Sequence, residues 1–220
     1  MRIVSINVGR PRLIHWKGVT INTGIFKEPV QGPVMLRKTN FDGDRQADLS
    51  VHGGPNKAAY GYPLEHYSLW NDELPENDLP LGAFGENLTI EGLLEKNLSV
   101  GDTLRAGAAI LKVRTPRLPC FKLAAKFNRD DMIERFLRSG RCGYYFSVEQ
   151  EGEISSGDEI EFLDRAPGSL SVFEINRLYA FASPGDLSLL RRAAQVEALP
   201  ESWRERFQGR ADAILKLASN

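Results

Sequence analysis

Sulfur and imidazole are scarce in this chain. Its 220 residues include two cysteines, Cys120 and Cys142, and three histidines, His15, His52 and His66. Two thiols cannot supply a cluster that needs four from one chain, and they do not make a disulfide-stapled scaffold. Cys-x-x-Cys, His-Glu-x-x-His and His-x-Glu patterns are all missing, which leaves zinc hydrolase and deaminase chemistry poorly supported. An excess of either charge is missing too. The 28 basic and 29 acidic side chains leave a net charge of −1, so any anion site must be a local cluster rather than a global field. No apolar run is long enough to span a bilayer. The opening Met1–Gly9 alternates like a strand instead of forming a signal-peptide core. These absences predict a cytoplasmic protein with neither membrane nor nucleic acid as partner. Tyr144, Tyr145 and Phe146 do lie near Arg138 and Arg141, but Glu149, Glu151 and Glu153 follow at once, against a nucleic-acid face.

An apolar content of 42% suffices for one good core, as one large domain or a domain with a small appendage. The first three quarters read as strands and loops, with strand character at 2–8, 34–38, 103–113, 143–149 and 159–162. Glu151-Gly152-Glu153 and Gly157-Asp158 read as turns. Helices are expected at 63–71, with Tyr60, Leu64, Tyr67 and Trp70 on an apolar face, at 123–128, and at 129–138 with Gly140 as its left-handed stop. After Ala166-Pro167-Gly168 the texture turns helical. Ser171 and Glu174 fit a capping box, Asp186 can cap a second helix, and Pro200 suits the start of a third. The expected division is a β domain over 1–168, with its core at about 28–165, and a three-helix unit over 169–220.

Three segments carry possible chemistry. In Gly43–Ala58, the pair Gly53-Gly54 lets backbone amides approach an anion, with Arg45 and Lys57 to neutralise it. The same residues also make an ordinary Gly-Pro turn with solvated charges. In Thr115–Lys122, Pro116 and Pro119 stiffen a loop that presents Cys120, and Arg117 and Lys122 favour the thiolate that binds metals. A buried cysteine acting as a small apolar residue is the competing reading, and it suits Cys142 better. In Gly82–Thr89, Asn87 offers a two-sided amide at a turn leading into a strand.

Taken in order, Gly43–Asp48, His52–Ala58, Gly85–Leu88 and Pro116–Cys120 resemble the MOSC domain, most closely its YiiM-type branch, which carries a C-terminal three-helix extension. The resemblance covers nearly the whole chain. It implies a mainly β, barrel-like fold related to the pyruvate-kinase barrel domain, with peripheral helices. It implies the molybdenum cofactor, a molybdenum-bearing pyranopterin, with Cys120 as metal ligand, a role that suits a soft thiolate. His52, Gly53, Gly54 and Lys57 would hold the pterin and its phosphate, with Arg45, Arg117 and Lys122 as further contacts. Asp44, Asp48 and Asn87 would bond pterin nitrogens or position substrate.

The implied activity is reduction of N-hydroxylated compounds, including hydroxylaminopurine-type bases and amidoximes, with His52, Asp44 or a water as acid. The sequence has no flavin or dinucleotide fingerprint, so electrons are expected from an external, flavin-containing reductase, with the three helices either docking it or covering a sheet edge. Two alternatives remain: sulfur transfer through a Cys120 persulfide, and a non-catalytic module that stores or delivers the cofactor.

Overall fold

The structure is a computed structural model in which residues 1–48, 53–76 and 79–218 are described. Its strands are β1 (Arg2–Val8), β2 (Arg12–Trp16), β3 (Val19–Thr23), β4 (Glu28–Pro29), β5 (Val34–Leu36), β6 (Ala59–Pro63), β7 (Leu88–Glu91), β8 (Thr103–Ala106), β9 (Ala109–Pro116), β10 (Tyr144–Gln150), β11 (Gly152–Ile154) and β12 (Ile160–Asp164). Its α-helices are α1 (Glu65–Glu73), α2 (Phe121–Phe127), α3 (Met132–Ser139), α4 (Val172–Phe181), α5 (Leu187–Ala194) and α6 (Glu201–Ala218).

Eight strands form one sheet in the order β12-β8-β9-β10-β6-β7-β1-β4. The free edge of β12 then returns to β1. Ile160 N–H donates to the Met1 carbonyl and Ile3 N–H to the Asp158 carbonyl, both at 2.9 Å, beside an antiparallel bridge between Arg2 and Glu159. Closure leaves fewer unpaired edges and makes the sheet barrel-like, so the expected mainly β fold is what the chain adopts. Alternation along β9 fills the interior: Leu111, Val113 and Thr115 are buried, while Lys112 and Arg114 between them face outward.

β6 and β7 run parallel, and α1 makes the crossover that a parallel pair requires. Tyr67 and Trp70 turn inward from α1, and Trp70 Nε1–H donates to the Tyr62 hydroxyl at 2.7 Å. Phe84 stacks on Tyr62 at 4.6 Å between centroids. Tyr62, Trp70 and Phe84 thus form one buried aromatic cluster. The last three helices pack on the outside of the barrel. α4 begins at the expected capping box of Ser171 and Glu174 and buries Val172, Ile175 and Leu178. It is tied to the barrel by Val172 N–H to the Leu98 carbonyl and Val100 N–H to the Leu170 carbonyl. None of the described helices is long and apolar enough to cross a membrane.

Several local expectations are corrected. The strand read at 103–113 is a hairpin, β8 and β9, turned at Gly107 with φ 55°. Tyr60 belongs to β6, not to a helix face, and α1 starts at Glu65. Gly152 is not a turn residue: it begins β11, which pairs with β5. Asp186 does precede α5, but its carboxylate caps no amide of that helix. It accepts instead from Arg177 and from the Ser183 amide and hydroxyl.

Candidate functional site

One cleft of about 690 Å³, counting the space open at its mouth, gathers the sequence motifs into a single place. Its walls come from Thr23–Ile25 at the exit of β3, the 45–47 segment with Gly53 and Lys57, Tyr60 on β6, the Phe84–Asn87 turn, the loop that carries Arg117, Leu118 and Cys120, and Tyr145 on β10. Of the residues singled out in the sequence, Arg45, Gly53, Lys57, Asn87, Arg117, Cys120 and Lys122 line it. Asp44, Asp48 and Gly54 do not. His52 lies outside the described residues.

Cys120 sits where β9 ends. Pro116 closes that strand, the chain runs through Arg117-Leu118-Pro119, and Cys120 takes an extended conformation immediately before α2. It is half-buried in the cleft wall, whereas Cys142 is fully buried, and burial pushes the Cys142 thiol well up. The structure thus separates the two thiols as the sequence suggested: one faces a cavity and one is packed.

The charged side chains that line the cleft, among the described residues, are of one sign. Lys27, Arg45, Lys57, Arg117 and Lys122 line it, and none of the described lining residues is acidic. Arg117 is 5% exposed, with its guanidinium 5.5 Å from the Tyr60 ring centre and 4.9 Å from that of Phe136. Its Nη1 is buried and finds no hydrogen-bond partner among the described residues. A buried donor left unmatched is costly, and a ligand anion in the cleft would satisfy it. Burial lowers the Lys57 ammonium. Gly53 and Gly54 both hold φ 85°, a left-handed backbone that side-chain-bearing residues resist.

Two expected contacts are corrected. Asp44 was a candidate proton donor, but its carboxylate is enclosed. It pairs with Lys27 and accepts from Gly9 N–H at 2.9 Å and Asn87 Nδ2 at 3.0 Å. It lies behind the cleft wall and holds Lys27 in place. Asn87 does line the cleft, but its amide serves the fold. Its Oδ1 accepts from Tyr60 N–H, and its Nδ2 donates to the Asn7 carbonyl and to Asp44.

Sequence reasoning missed Lys27, Lys126 and the tyrosine wall. Lys126 Nζ donates to the Ile25 carbonyl at 3.1 Å and the Gly82 carbonyl at 2.9 Å, clamping two wall segments to α2. Burial brings its ammonium down to about 8, against a pull upward from Glu86. Glu86 itself is fully buried. It accepts from Tyr67 Oη–H, Gly82 N–H, Phe84 N–H and Thr89 Oγ–H. Burial raises its carboxyl, with these donors, Tyr67 foremost, pulling back. Tyr60 and Tyr145 face each other at 5.2 Å between ring centres, and burial raises both phenols, so they stay protonated at neutral pH. A lone lysine or tyrosine carries no motif, and only the fold reveals these placements.

Comparison with known proteins agrees with this architecture. Residues 48–161 match the MOSC domain family, and residues 170–212 match the YiiM-like 3-alpha helix domain. The chain is 42% identical to the uncharacterized protein YflK of Bacillus subtilis, over 97% of this chain and 96% of that one. It is 36% identical to a protein named Reductase from Gibberella moniliformis, over 81% of this chain but only 32% of the fungal one. The crystal structure of YiiM from Geobacillus stearothermophilus superposes with a TM-score of 0.79 at 36% identity, covering 96% of this chain and 98% of that one. A mainly β barrel with three appended helices and a thiol-bearing, cation-lined cleft therefore belongs to the MOSC-domain family, in its YiiM-like branch.

Proposed function

We propose that the chain is an oxidoreductase that holds the molybdenum cofactor in this cleft, with the Cys120 thiolate as metal ligand, and reduces N-hydroxylated compounds to amines. The observation that carries the reading is a half-buried cysteine set in a wall whose charged lining residues, among those described, are all cations. MOSC domains are associated with this cofactor, and the residues present fit it. A pterin phosphate would match the unpartnered Nη1 of Arg117 and the ammonium groups of Lys57 and Lys122, with Arg45 at the rim. Gly53 and Gly54 leave room for backbone amides to approach. Among the described residues no group of three or more His, Cys, Asp or Glu is placed to hold a metal, so a metal here would arrive with most of its own ligands.

When bound, the cofactor supplies the two-electron couple. The protein's residues do the rest. Reduction of R–NHOH takes two electrons and two protons and yields R–NH2 and water. The protons must come from groups at the cleft. The Tyr145 hydroxyl and the side-chain N–H groups of Lys57 and Lys122 line the cleft and are the candidates. Asp44 holds Lys27, and Lys126 ties the Ile25 and Gly82 segments, so the wall is fixed before substrate enters. Tyr60, Phe84 and Tyr145 are among the lining residues, an aromatic setting suited to a planar purine or an aryl amidoxime.

Electrons would come from a separate flavin-containing protein. The fungal Reductase matches this chain over only a third of its own length, leaving the remainder of that protein for other parts. The test is anaerobic turnover of benzamidoxime and of a hydroxylaminopurine by cofactor-loaded protein with dithionite-reduced viologen. Formation of benzamidine and of the aminopurine that is lost in Cys120→Ala supports the reading. Cyanide-labile sulfur on Cys120 in molybdenum-free protein, without turnover, would replace it with sulfur transfer.

A further inference from the structure

The cofactor cleft is not the only concave surface. A wider cleft of about 1480 Å³, open to solvent, lies between the barrel wall and the three-helix unit. We propose that it docks an acidic, flavin-containing electron-donor protein; this rests on the reductase reading above.

Four cations converge on it from two separately built parts. Lys112 and Arg114 come from β9, and Arg191 and Arg192 from the last turn of α5. Glu197 is the single acidic residue among those lining it, so the lining has a net charge of +3 on a chain whose total is −1. Lys112 and Arg114 alternate with the inward Leu111, Val113 and Thr115, so both point off the barrel on one face, about 7 Å apart at the usual strand rise. Lys112, Arg114, Arg191 and Arg192 make no salt bridge among the described residues, although surface arginines elsewhere do, as in Arg37–Asp42 and Arg177–Asp186. Arg114 Nε is buried with no hydrogen-bond partner among the described residues, and the carboxylate of Glu149 acts on that guanidinium from β10. Arg192 makes one bond, to the Gly168 carbonyl at 3.2 Å, which holds its side chain along the cleft wall.

Openness and composition indicate the occupant. The cleft is more open to solvent than the cofactor cleft, whereas small-molecule sites bury most of their ligand's surface. None of its lining residues is aromatic, so it offers no stacking platform for single-stranded nucleic acid. A set of separated cations on a wide surface complements the carboxylates of an acidic protein, the arrangement that steers charged partners together. Position indicates the purpose. β9 links the two clefts in sequence: it carries Lys112 and Arg114 at this one and ends at Pro116, Arg117 of the cofactor cleft is the next residue, and Cys120 follows three residues later. A donor seated here lies against the strand that carries the Cys120 loop. Flavin hydroquinone gives up two electrons and two protons, R–NHOH takes them, and the products are oxidised flavin, R–NH2 and water.

The test uses the full-length, cofactor-loaded protein, the exposed pair Arg191→Glu/Arg192→Glu, and flavodoxin as the acidic FMN protein. Calorimetry at low salt should show flavodoxin binding to the native protein, weakening several-fold as salt rises. The charge-reversed pair should bind at least tenfold more weakly. It should also raise KM for reduced flavodoxin about tenfold, while turnover with dithionite-reduced viologen stays at the native rate. Lys112→Glu, on the barrel side, should weaken flavodoxin binding in the same direction if the cleft acts as one surface. Equal flavodoxin binding by native and charge-reversed protein overturns the proposal, as does no binding to the native protein. Tighter charge-dependent binding of mixed-sequence oligonucleotide than of flavodoxin overturns it in favour of nucleic acid. Loss of viologen turnover in the native protein defeats the reductase reading instead, and the calorimetry still decides the docking.

Discussion

Arg117 shows what a single residue contributes at the cleft. Its guanidinium is buried against two aromatic rings, with one nitrogen unmatched among the described residues. Replacing it with Met keeps the volume and removes the donor. We expect Arg117→Met to stay folded and to bind inorganic phosphate about 10–100-fold more weakly by calorimetry at fixed pH, the equivalent of about 1.5–3 kcal/mol for a hydrogen bond to a charged group. Undiminished phosphate binding would remove Arg117 from the anion site. Lys126 gives a prediction in pH. Its ammonium is lowered to about 8 from 10.5, so between those values the unfolded chain binds more protons than the folded one and stability rises with pH. The burial cost of this charge is therefore fully present below about 8 and relieved above it. Urea unfolding from pH 7.5 to 10 should show a shallower rise for Lys126→Met than for the native protein, and parallel curves would contradict the assignment. At this scale the sequence was only partly legible. Cys120, Arg117 and Lys57 stood in motifs. Asp44 also stood in a motif, yet its oxygens are all engaged with Lys27, Gly9 and Asn87, and nothing local in the sequence shows that Lys27, seventeen positions earlier, is its partner.

Elements were legible where one local rule dominates. The Ser171–Glu174 capping box and the end of β9 at Pro116 follow from hydrogen-bonding capacity alone. β6 was not legible, because Ala-Tyr-Gly-Tyr-Pro contains two turn-forming residues and is buried along its whole length, so it shows no alternation. Gly61 explains the composition. A Cβ there would stand 2.6 Å from the Tyr144 ring and 3.0 Å from that of Phe146 on the neighbouring β10. Gly61→Ala should cost about 1–3 kcal/mol by overpacking, visible as a lower urea midpoint with an unchanged slope. A change below about 0.5 kcal/mol, the scale of ordinary surface substitutions, would show that the ring stack yields easily. Gly152 misled for the opposite reason. Glycine there serves close approach to the Ala108 backbone, with a Cβ only 2.3 Å from its carbonyl carbon, and makes no turn.

At the scale of the whole molecule, the change in texture after residue 168 was plain in the sequence. The way the two parts join was not. Val172, Ile175 and Leu178 are buried, and backbone hydrogen bonds from the 98–100 segment to Leu170 and Val172 stitch α4 to the barrel. The later helices pack back onto α4, among other contacts through Tyr179 of α4 on Trp203 of α6 at 4.8 Å between ring centres. We expect one cooperative unfolding transition: tryptophan fluorescence, which samples Trp16 on β2, Trp70 on α1 and Trp203 on α6, should coincide with far-UV circular dichroism in urea. Two separated transitions would mean the helical unit folds independently. The same join creates the cation-lined cleft beside β9, a feature that neither part's sequence shows alone.

We propose that the Cys120 sulfur binds molybdenum. The most direct measurement is molybdenum per chain in native protein, Cys120→Ser and Cys142→Ser, each expressed with cofactor supply and checked for folding by circular dichroism. The account predicts near-stoichiometric metal in the native protein and in Cys142→Ser, and a sharp loss in Cys120→Ser. Equal molybdenum in all three would contradict it.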